Sequence, residues 1–374
     1  MLKDIKILVL GGGIAGMAAS IALRDRGIAV DLCERDPQWK VYGAGITITG
    51  PTLRAMGRLG ILDEVLEEGY AADGIDICSA QGKHLFTVDT TNEALGGIPS
   101  AGGILRPVLH HIMQRRLQKI GVAPLLGVEV ESIVSGKTRS QVRFGNGKVA
   151  EYDLIVGADG IYSETRTRLF PQTSAPRYAG QLCWRLMTER HPSIGRRTFF
   201  LGGRAKVGLN PVSKNQMYMF YLEAQREPLR RDEAGQHQIL HDLMEGYGGV
   251  LAEVRQALKE TSNIICRPLE TVFVDGNWSN GNVVLIGDAA HATTPQLASG
   301  AGMGIEDGLV LAQEVSKAPD VATALDAFMS RRYGRCKLVV DSSLEISRLE
   351  REQAAPEAQT AVVEKALVQL NQEF

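Results

Sequence analysis

Three glycines near the start of the chain have the spacing of a dinucleotide-binding loop. The loop fits G-x-G-x-x-G and consists of Gly11, Gly13 and Gly16, with Ile14 and Ala15 between the last two. Gly11 permits a tight turn, Gly13 lets backbone N–H groups approach a pyrophosphate, and Gly16 lets a helix pack closely on a strand. Glu34, at the end of the next apolar run, could accept hydrogen bonds from an adenosine ribose.

A second polar group follows an apolar run at residues 153–158. Asp159 and Gly160 come directly after it, and Ser163 and Arg166 follow. The carboxyl end of a parallel strand faces the ligand crevice of an α/β sheet, so Asp159 could face a ligand. An Asp-Gly turn with a helix cap at Ser163 explains the same residues, and the two interpretations are compatible.

A third group follows the apolar run at residues 282–286. Asp288 could bind a ribityl or ribose hydroxyl, and a turn at Pro295 leads into a glycine-rich loop before a helix expected from residue 304. Backbone N–H groups of that loop could hold a carbonyl or an anionic ring edge. The loop residues are Gly300, Ala301, Gly302 and Met303. His291 invites a catalytic interpretation, but a structural role is more common for a lone histidine beside a turn.

These groups require strands and helices that bring them together. A strand at 5–10, a helix at 14–26 and a strand at 28–33 predict one βαβ unit. A helix is expected at 52–66, short strands at 75–78 and 84–88, a helix at 106–120, and a meander ending in a buried strand at 149–156. Strand-like runs between 178 and 223 predict an antiparallel sheet, after which the chain returns to the nucleotide-binding half.

Composition excludes several classes of protein. The 374 residues include 41 Lys and Arg against 43 Asp and Glu, a net charge of −2, which argues against a nucleic-acid-binding protein. The apolar run at 5–23 contains three consecutive glycines, so we interpret it as strand, turn and helix and expect no membrane span. The five scattered cysteines form no CxxC pair. We therefore expect buried thiols, no metal site and a cytoplasmic location.

The three motifs, in this order, resemble those of the single-component FAD-dependent aromatic monooxygenases, the p-hydroxybenzoate hydroxylase-like family. Within it the chain is most similar to the salicylate hydroxylase, 6-hydroxynicotinate 3-monooxygenase and urate hydroxylase subgroup. The resemblance extends from about residue 5 to 350, and Gly-Asp-Ala-Ala-His-x-x-x-Pro at 287–295 is its most specific part.

The resemblance implies an α/β fold: a Rossmann-like FAD-binding domain of the GR2 type, interleaved with an antiparallel-sheet substrate domain and followed by C-terminal helices. The FAD-binding domain would comprise residues 1–73, 100–176 and 265–340. The substrate-binding sheet would comprise 74–99 and 177–264, and the C-terminal helical segment 341–374.

The resemblance also implies which residues bind FAD. They are Gly11, Gly13, Ile14, Ala15, Gly16, Glu34, Arg35, Gly45, Arg106, Asp159, Asp288, Pro295, Gly300, Ala301, Gly302 and Met303. Gly11 to Arg35 would hold the ADP half, Arg106 the connecting chain, Asp288 the ribityl and pyrophosphate, and the loop at 300–303 the isoalloxazine. That loop departs from the family, which often has Gly-Gln-Gly where this chain has Gly-Ala-Gly.

Candidate catalytic residues come from the same resemblance. Lys206 occupies the place of an arginine in the urate hydroxylase pocket, and Tyr218 matches a pocket tyrosine. A cation at Lys206 could bind an anionic substrate or lower the pKa of its hydroxyl, although a solvated surface lysine is an equal alternative. Thr47 stands where the 6-hydroxynicotinate enzymes have a histidine. Trp184, Arg185 and Tyr221 are weaker candidates, and strand alternation places Tyr218 and Tyr221 on opposite faces.

The expected function is hydroxylation of a small aromatic or N-heteroaromatic phenol or acid, with dioxygen, through a C4a-hydroperoxyflavin. NADH or NADPH would be a transient reductant, because no second G-x-G-x-x-G follows a strand. Two alternatives are a flavoprotein monooxygenase of a larger natural product and a non-catalytic binding protein on the same fold. We expect a monomer or homodimer with no nucleic-acid or membrane partner.

Overall fold

The computed structural model describes residues 5–41, 43–136, 138–231 and 234–374. The strands in these ranges are β1 (Lys6–Leu10), β2 (Ala29–Glu34), β3 (Gly45–Thr49), β4 (Tyr70–Ala71), β5 (Ile75–Ser79), β6 (His84–Val88), β7 (Ala101–Leu105), β8 (Leu125–Leu126), β9 (Val130–Ser135), β10 (Ser140–Phe144), β11 (Val149–Tyr152), β12 (Leu154–Gly157), β13 (Arg177–Glu189), β14 (Arg197–Leu201), β15 (Lys206–Pro211), β16 (Gln216–Ala224), β17 (Ile264–Thr271), β18 (Ser279–Asn280) and β19 (Val283–Leu285).

The α-helices in the same ranges are α1 (Ile14–Arg24), α2 (Gly50–Arg58), α3 (Leu62–Glu68), α4 (Arg106–Lys119), α5 (Glu164–Leu169), α6 (Gln236–Leu243), α7 (Val250–Gln256), α8 (Asp288–His291), α9 (Gly300–Lys317), α10 (Val321–Arg351) and α11 (Pro356–Leu370). Two short 3₁₀ helices comprise Glu93–Leu95 and Pro295–Leu297.

A six-stranded sheet carries the N-terminal βαβ unit. Its order is β18-β19-β12-β1-β2-β8, and β1 pairs in parallel with both β2 and β12. The apolar residues of β1 and the central turns of α1 are buried, because α1 packs on one face of this sheet and the small sheet of β9, β10 and β11 packs on the other. The predicted strand–turn–helix at the N-terminus is confirmed.

A seven-stranded sheet follows the order β17-β13-β16-β15-β14-β5-β6. Its pairings are antiparallel except for β14 with β5, which is parallel, so the expectation of a wholly antiparallel sheet is wrong at this one contact. A parallel pairing is possible here because a long stretch of chain, and not a short hairpin, connects β5 to β14. β17 extends the sheet to Thr271, beyond the boundary expected at residue 264.

A small sheet of β3, β7 and β4 was not predicted, because its strands lie in glycine-rich segments that favour loops by composition. The glycines allow close packing of layers. A Cβ atom on Gly103 would lie 2.3 Å from the carbonyl oxygen of Pro211 on β15. This sheet therefore lies directly against the seven-stranded sheet and carries Gly45 and Thr47 to the boundary between them.

Three other elements differ from prediction. The helix expected at 52–66 is divided into α2 and α3 by Gly60, whose φ of +75° is left-handed. The strand expected at 149–156 is two strands in different sheets, β11 and β12. α9 begins at Gly300, four residues before the expected start at Gly304. The glycines in its first turn lowered the apparent helix propensity there.

The five cysteines are free and buried, as predicted. Among the residues that the structure describes, no helix is long and apolar enough to cross a membrane.

Candidate functional site

A cavity of about 390 Å³ lies between the parallel sheet and the seven-stranded sheet. One side consists of loop and helix-start residues from the nucleotide-binding half, including Gly13, Ala15 and Gly300. The other consists of side chains from β13 to β16. Residues predicted from separate motifs therefore surround one space.

The glycine loop has the geometry predicted from its sequence. Gly11 has a φ of +106°, and a Cβ atom on Gly16 would lie 1.9 Å from the Gly11 carbonyl oxygen. Gly13 has no neighbouring heavy atom within 4 Å of such a Cβ position and lines the cavity with Ile14 and Ala15. The first N–H groups of α1 thus face open space, as an anion site at a helix N-terminus requires.

Glu34 lies beside this loop, and its oxygens accept hydrogen bonds from the backbone N–H groups of Gly12 (2.7 Å) and Asp36 (2.8 Å). Arg35 lies at the surface, with its side chain 73% exposed, and faces Glu164 at 3.8 Å. Sequence reasoning missed Trp39, whose Nε1 donates to the Gly12 carbonyl oxygen at 2.9 Å. A lone tryptophan outside the G-x-G-x-x-G loop carries no signal of that contact.

Asp159 caps a helix. Its carboxylate accepts hydrogen bonds from the Ser163 hydroxyl (2.5 Å) and from both the backbone N–H and the hydroxyl of Thr165 (2.9 Å each). Ser163 in turn accepts from the Arg166 N–H, so the predicted cap is present. Gly160 lines the cavity, whereas the Asp159 side chain is directed to the start of α5.

Asp288 and Arg106 form the charged part of the cofactor side. Both side chains are exposed to the cavity, which is itself surrounded by protein. Burial raises the pKa of the Asp288 carboxyl, opposed by His291 and Arg106. Burial and then the neighbouring Arg185 lower the pKa of the Arg106 guanidinium, opposed by Asp288. The two residues therefore partly neutralise each other at the place where the resemblance puts the ribityl chain.

The glycine-rich loop at 300–303 is the first turn of α9. Pro295, Gly300 and Ala301 line the cavity. Gly302 and Met303 are turned into the protein: Met303 is buried, and a Cβ atom on Gly302 would lie 2.2 Å from the Thr52 hydroxyl oxygen. The Gly302 position therefore packs against α2. The first N–H groups of α9 have no carbonyl partner within the helix and remain available to a ligand at the cavity.

His291 is buried and bonded to Asp307, with 2.6 Å between Nε2 and Oδ2. Asp307 also accepts from the Gly287 N–H (2.8 Å) and from Arg332 Nε (2.7 Å). With Cys336, these side chains include a histidine, a carboxylate and a thiol close enough to bind a metal. The carboxylate oxygens already have hydrogen-bond and ion-pair partners, which favours a structural salt-bridge network.

The face of the seven-stranded sheet toward the cavity is aromatic. Phe199, Tyr218 and Phe220 line it, and the Phe199 and Phe220 ring centres are 5.9 Å apart. Gly208 makes room for this wall, since a Cβ atom there would lie 2.4 Å from the Phe220 ring. Gly45 does the same for Tyr218 at 2.6 Å.

Tyr221 and Trp184 belong to the buried cluster on the opposite face of the sheet, under α6 and α7. The predicted separation of Tyr218 from Tyr221 by strand alternation is confirmed. Of the weaker candidates, only Arg185 lines the cavity.

Thr47 and Tyr218 meet at the boundary of two sheets. Their side-chain oxygens are 2.5 Å apart, and Asn210 Nδ2 donates to the Thr47 oxygen at 3.1 Å. Because Asn210 supplies one donor, the Thr47 hydroxyl proton is free to point toward Tyr218 or the cavity. Asn210 was not predicted, since an asparagine within a strand has no distinctive spacing.

Lys206 lines the cavity but is not a free cation. Its Nζ lies 2.7 Å from a carboxylate oxygen of Glu350 on α10, and the two side chains are 22% and 5% exposed. Gln181 and Gln296 donate to the other oxygen of Glu350 at 3.1 Å each. Lys206 is therefore neither a solvated surface lysine nor an unpaired cation that is free to bind an anion.

Arg197 is a cavity residue that sequence reasoning missed entirely. It begins β14, and an arginine at the start of a strand is ordinarily exposed. No motif includes it, so no signal in the sequence distinguished it from the chain's other arginines.

These residues fit FAD. An open glycine loop and two helix N-termini suit a pyrophosphate and an anionic ring edge, and Asp288 with Arg106 suits the connecting polyol. Side chains at Gly11, Gly16 and Gly302 would collide with neighbouring protein atoms. Glycine at these three positions therefore lets the loops pack closely beside the cavity.

Comparisons with known proteins agree with this geometry. The family model described as "FAD binding domain" matches residues 4–343. The chain is 30% identical to 2-heptyl-3-hydroxy-4(1H)-quinolone synthase of Pseudomonas aeruginosa, over 92% of this chain and 89% of that protein. It is 31% identical to 3-amino-4-hydroxybenzoate 2-monooxygenase of Streptomyces cremeus, over 82% of this chain and 77% of that protein.

The crystal structure of Klebsiella pneumoniae HpxO with FAD and uric acid has the same fold, with a TM-score of 0.85 and 23% identity, covering 100% of this chain and 94% of that one. The family model covers most of the chain, and relatives across its length include FAD-dependent monooxygenases. The chain therefore belongs to the FAD binding domain family, among the single-component FAD-dependent aromatic monooxygenases.

Proposed function

We propose that this protein hydroxylates a small aromatic or N-heteroaromatic phenol or acid, using NADH or NADPH and dioxygen. The observation that carries the proposal is the single cavity that joins the cofactor loops to the aromatic face of the seven-stranded sheet. FAD, reduced by the nicotinamide nucleotide and exposed to dioxygen, supplies the electrophilic oxygen atom.

The aromatic face positions the ring to be hydroxylated. Phe199 and Phe220 offer ring faces and edges against which a flat substrate packs, and a substrate bound there would displace water from this apolar surface. Exclusion of water protects a reactive oxygen species from wasteful decay. A hydroxyl or ring N–H on the substrate would lie near Tyr218, whose hydroxyl is held by Thr47.

We assign proton handling to Tyr218 and Thr47, and charge balance to Lys206. An aromatic ring is a better nucleophile when its hydroxyl is deprotonated, and a hydroxyl held at 2.5 Å from its neighbour is oriented to accept or relay that proton. Lys206 and Glu350 form an ion pair whose net charge is zero. A proton or an anionic substrate group that arrives at this pair would change its net charge.

A substrate screen tests the function. Purified protein loaded with FAD is mixed with NADH or NADPH and a panel of hydroxybenzoates, hydroxynicotinates, purines and an alkylated quinolone. The proposal expects one of the small rings to stimulate nucleotide oxidation and to give a hydroxylated product by mass spectrometry. Protein that takes up no FAD, or that yields only hydrogen peroxide with every compound, contradicts it. Preference for the alkylated quinolone favours the larger-substrate alternative.

The assigned residues are tested with the best substrate. Tyr218→Phe and Lys206→Ala are expected to lower its turnover at least about tenfold, since each removes a polar contact at the reacting ring. Tyr221→Phe and Lys214→Ala make the same chemical changes away from the cavity and should leave turnover within about twofold. Unchanged turnover in Tyr218→Phe would show that the proton assignment is wrong.

A further inference from the structure

Arg197 has an unusual position on the aromatic wall. It lies at the start of β14, two residues before Phe199, so both side chains face the cavity while Thr198 and Phe200 are buried on the other face. Its guanidinium carbon lies 4.7 Å from the centre of the Phe199 ring. The arginine is thus held at one end of the surface on which a flat ring would pack.

The guanidinium has no protein anion to balance it. Its Nε is buried without a hydrogen-bond partner, and no carboxylate in the described part of the chain forms an ion pair with it. Burial lowers the pKa of this guanidinium, opposed by Tyr218. A buried donor left unsatisfied destabilises the folded state, so the structure retains this cation at a free-energy cost.

Lys206 differs in this respect, because it is paired with Glu350. Arg106 interacts electrostatically with Asp288, and both residues lie where the resemblance places the cofactor. Arg185 also lacks an ion-pair partner in the described ranges, but its charge lies close enough to that of Arg106 to lower the pKa of the Arg106 guanidinium.

Position in the sheet separates Arg197 from Arg185. The strand order β13-β16-β15-β14 places three strand spacings, roughly 14 Å, between their backbones, so the two arginines come from opposite edges of the cavity wall. The Lys206 ammonium also lies near the Phe199 ring, 5.3 Å from its centre, but it is paired with Glu350. Among the described residues, Arg197 is therefore the cation beside Phe199 that has no ion-pair partner.

We propose that Arg197 is the specificity-determining residue for substrate charge, and that it binds the carboxylate of an aromatic acid whose ring packs on Phe199 and Phe220. A guanidinium presents parallel N–H donors that match the two oxygens of a planar carboxylate. This inference rests on the proposed function, because it assumes that the cavity binds the substrate.

Matched acids and amides test the inference. FAD-loaded protein is titrated with salicylate and salicylamide, 4-hydroxybenzoate and its amide, and 6-hydroxynicotinate and its amide, following the change in flavin absorbance. In the unmodified protein at least one acid should bind about tenfold more tightly than its amide. Arg197→Gln should reduce that ratio to within about twofold while leaving amide binding unchanged.

Two further variants control for folding and general charge. Arg197→Lys keeps the cation and should retain part of the preference for the acid. Arg196→Gln makes the same substitution at the preceding residue, which faces Asp76 outside the cavity, and should retain all of it.

Equal binding of acid and amide, no binding of any acid by the FAD-loaded protein, or a full preference in Arg197→Gln would each overturn the inference. These outcomes differ from failure of the proposed function, which would show as absent FAD or as no hydroxylated product from any compound. If the protein hydroxylates only uncharged rings, the proposed function stands and the inference about Arg197 is wrong.

Discussion

At the scale of single residues, His291 shows how packing determines the role of a residue that belongs to a motif. His291 lies in the most specific motif of the chain, yet it is bonded to Asp307 and buried away from the cavity lining. Burial opposes the charged form of this histidine, but contacts with Cys336 and Asp307 outweigh burial and raise the pKa of the imidazole well above its ordinary value. His291, Asp307 and Arg332 therefore hold the Gly287 turn against α9 and α10.

His291→Gln is expected to lower the free energy of unfolding by about 3 kcal/mol at pH 6, because Asp307 loses a buried cation. A pKa raised in the folded state means that the charge contributes its full stability below the unfolded pKa of about 6.5. That contribution is lost as pH rises through the folded pKa, so the difference between the two proteins should shrink toward alkaline pH. Urea unfolding with saturating FAD at several pH values measures it.

The control for this prediction is His111→Gln, on the exposed face of α4, which should leave the unfolding free energy within about 0.5 kcal/mol at every pH. A His291→Gln difference that grows with pH would mean that the imidazole is neutral in the folded protein.

At the scale of elements, the contact between α1 and α9 positions both helix N-termini at the cavity. A Cβ atom on Gly308 would lie 2.5 Å from the backbone nitrogen of Ala19. The collision is with backbone, which cannot rotate away as a side chain can, so the two helices would have to separate.

Gly308→Ala is therefore expected to destabilise the protein by about 1–3 kcal/mol and to weaken FAD binding, since the two helices present N–H groups to the same cavity. Gly334→Ala is the matched control, because Gly334 lies within α10 with nothing near its Cβ position. There alanine should be neutral or stabilising by up to about 1 kcal/mol. Thermal unfolding and FAD titration of both variants measure the effects; equal behaviour would show that the α1–α9 contact can relax.

Elements with a clear hydrophobic period were predictable, and those built from glycine were not. The alternating and apolar runs of β1, β2 and β13–β16 predicted strands, and most are longer in the structure by one or more residues at their ends. β3 and β7 were interpreted as loops, because close packing against β15 requires glycine and propensity scales treat glycine as a strand breaker. Thr47 lies in the sheet that was not predicted, so its contact with Tyr218 could not be predicted either.

At the scale of the whole molecule, the site exists only where distant segments meet. Asp288, Arg106 and Tyr218 come from three parts of the chain, and Glu350 reaches Lys206 from a helix of 31 residues that packs against α9 and β13. Motif spacing singled out several residues that line one side of this cavity, because each motif is local. It could not predict that Glu350 neutralises Lys206 or that Arg197 lacks a partner, since both facts depend on tertiary packing.

The central claim is that this cavity inserts an oxygen atom from dioxygen into an aromatic ring. The most direct measurement is turnover of the best substrate under isotopically heavy dioxygen in ordinary water, with the product analysed by mass spectrometry. One heavy oxygen atom is expected in the ring hydroxyl of each product molecule. A product whose new oxygen comes from water, or nucleotide oxidation with an unaltered ring, would contradict it.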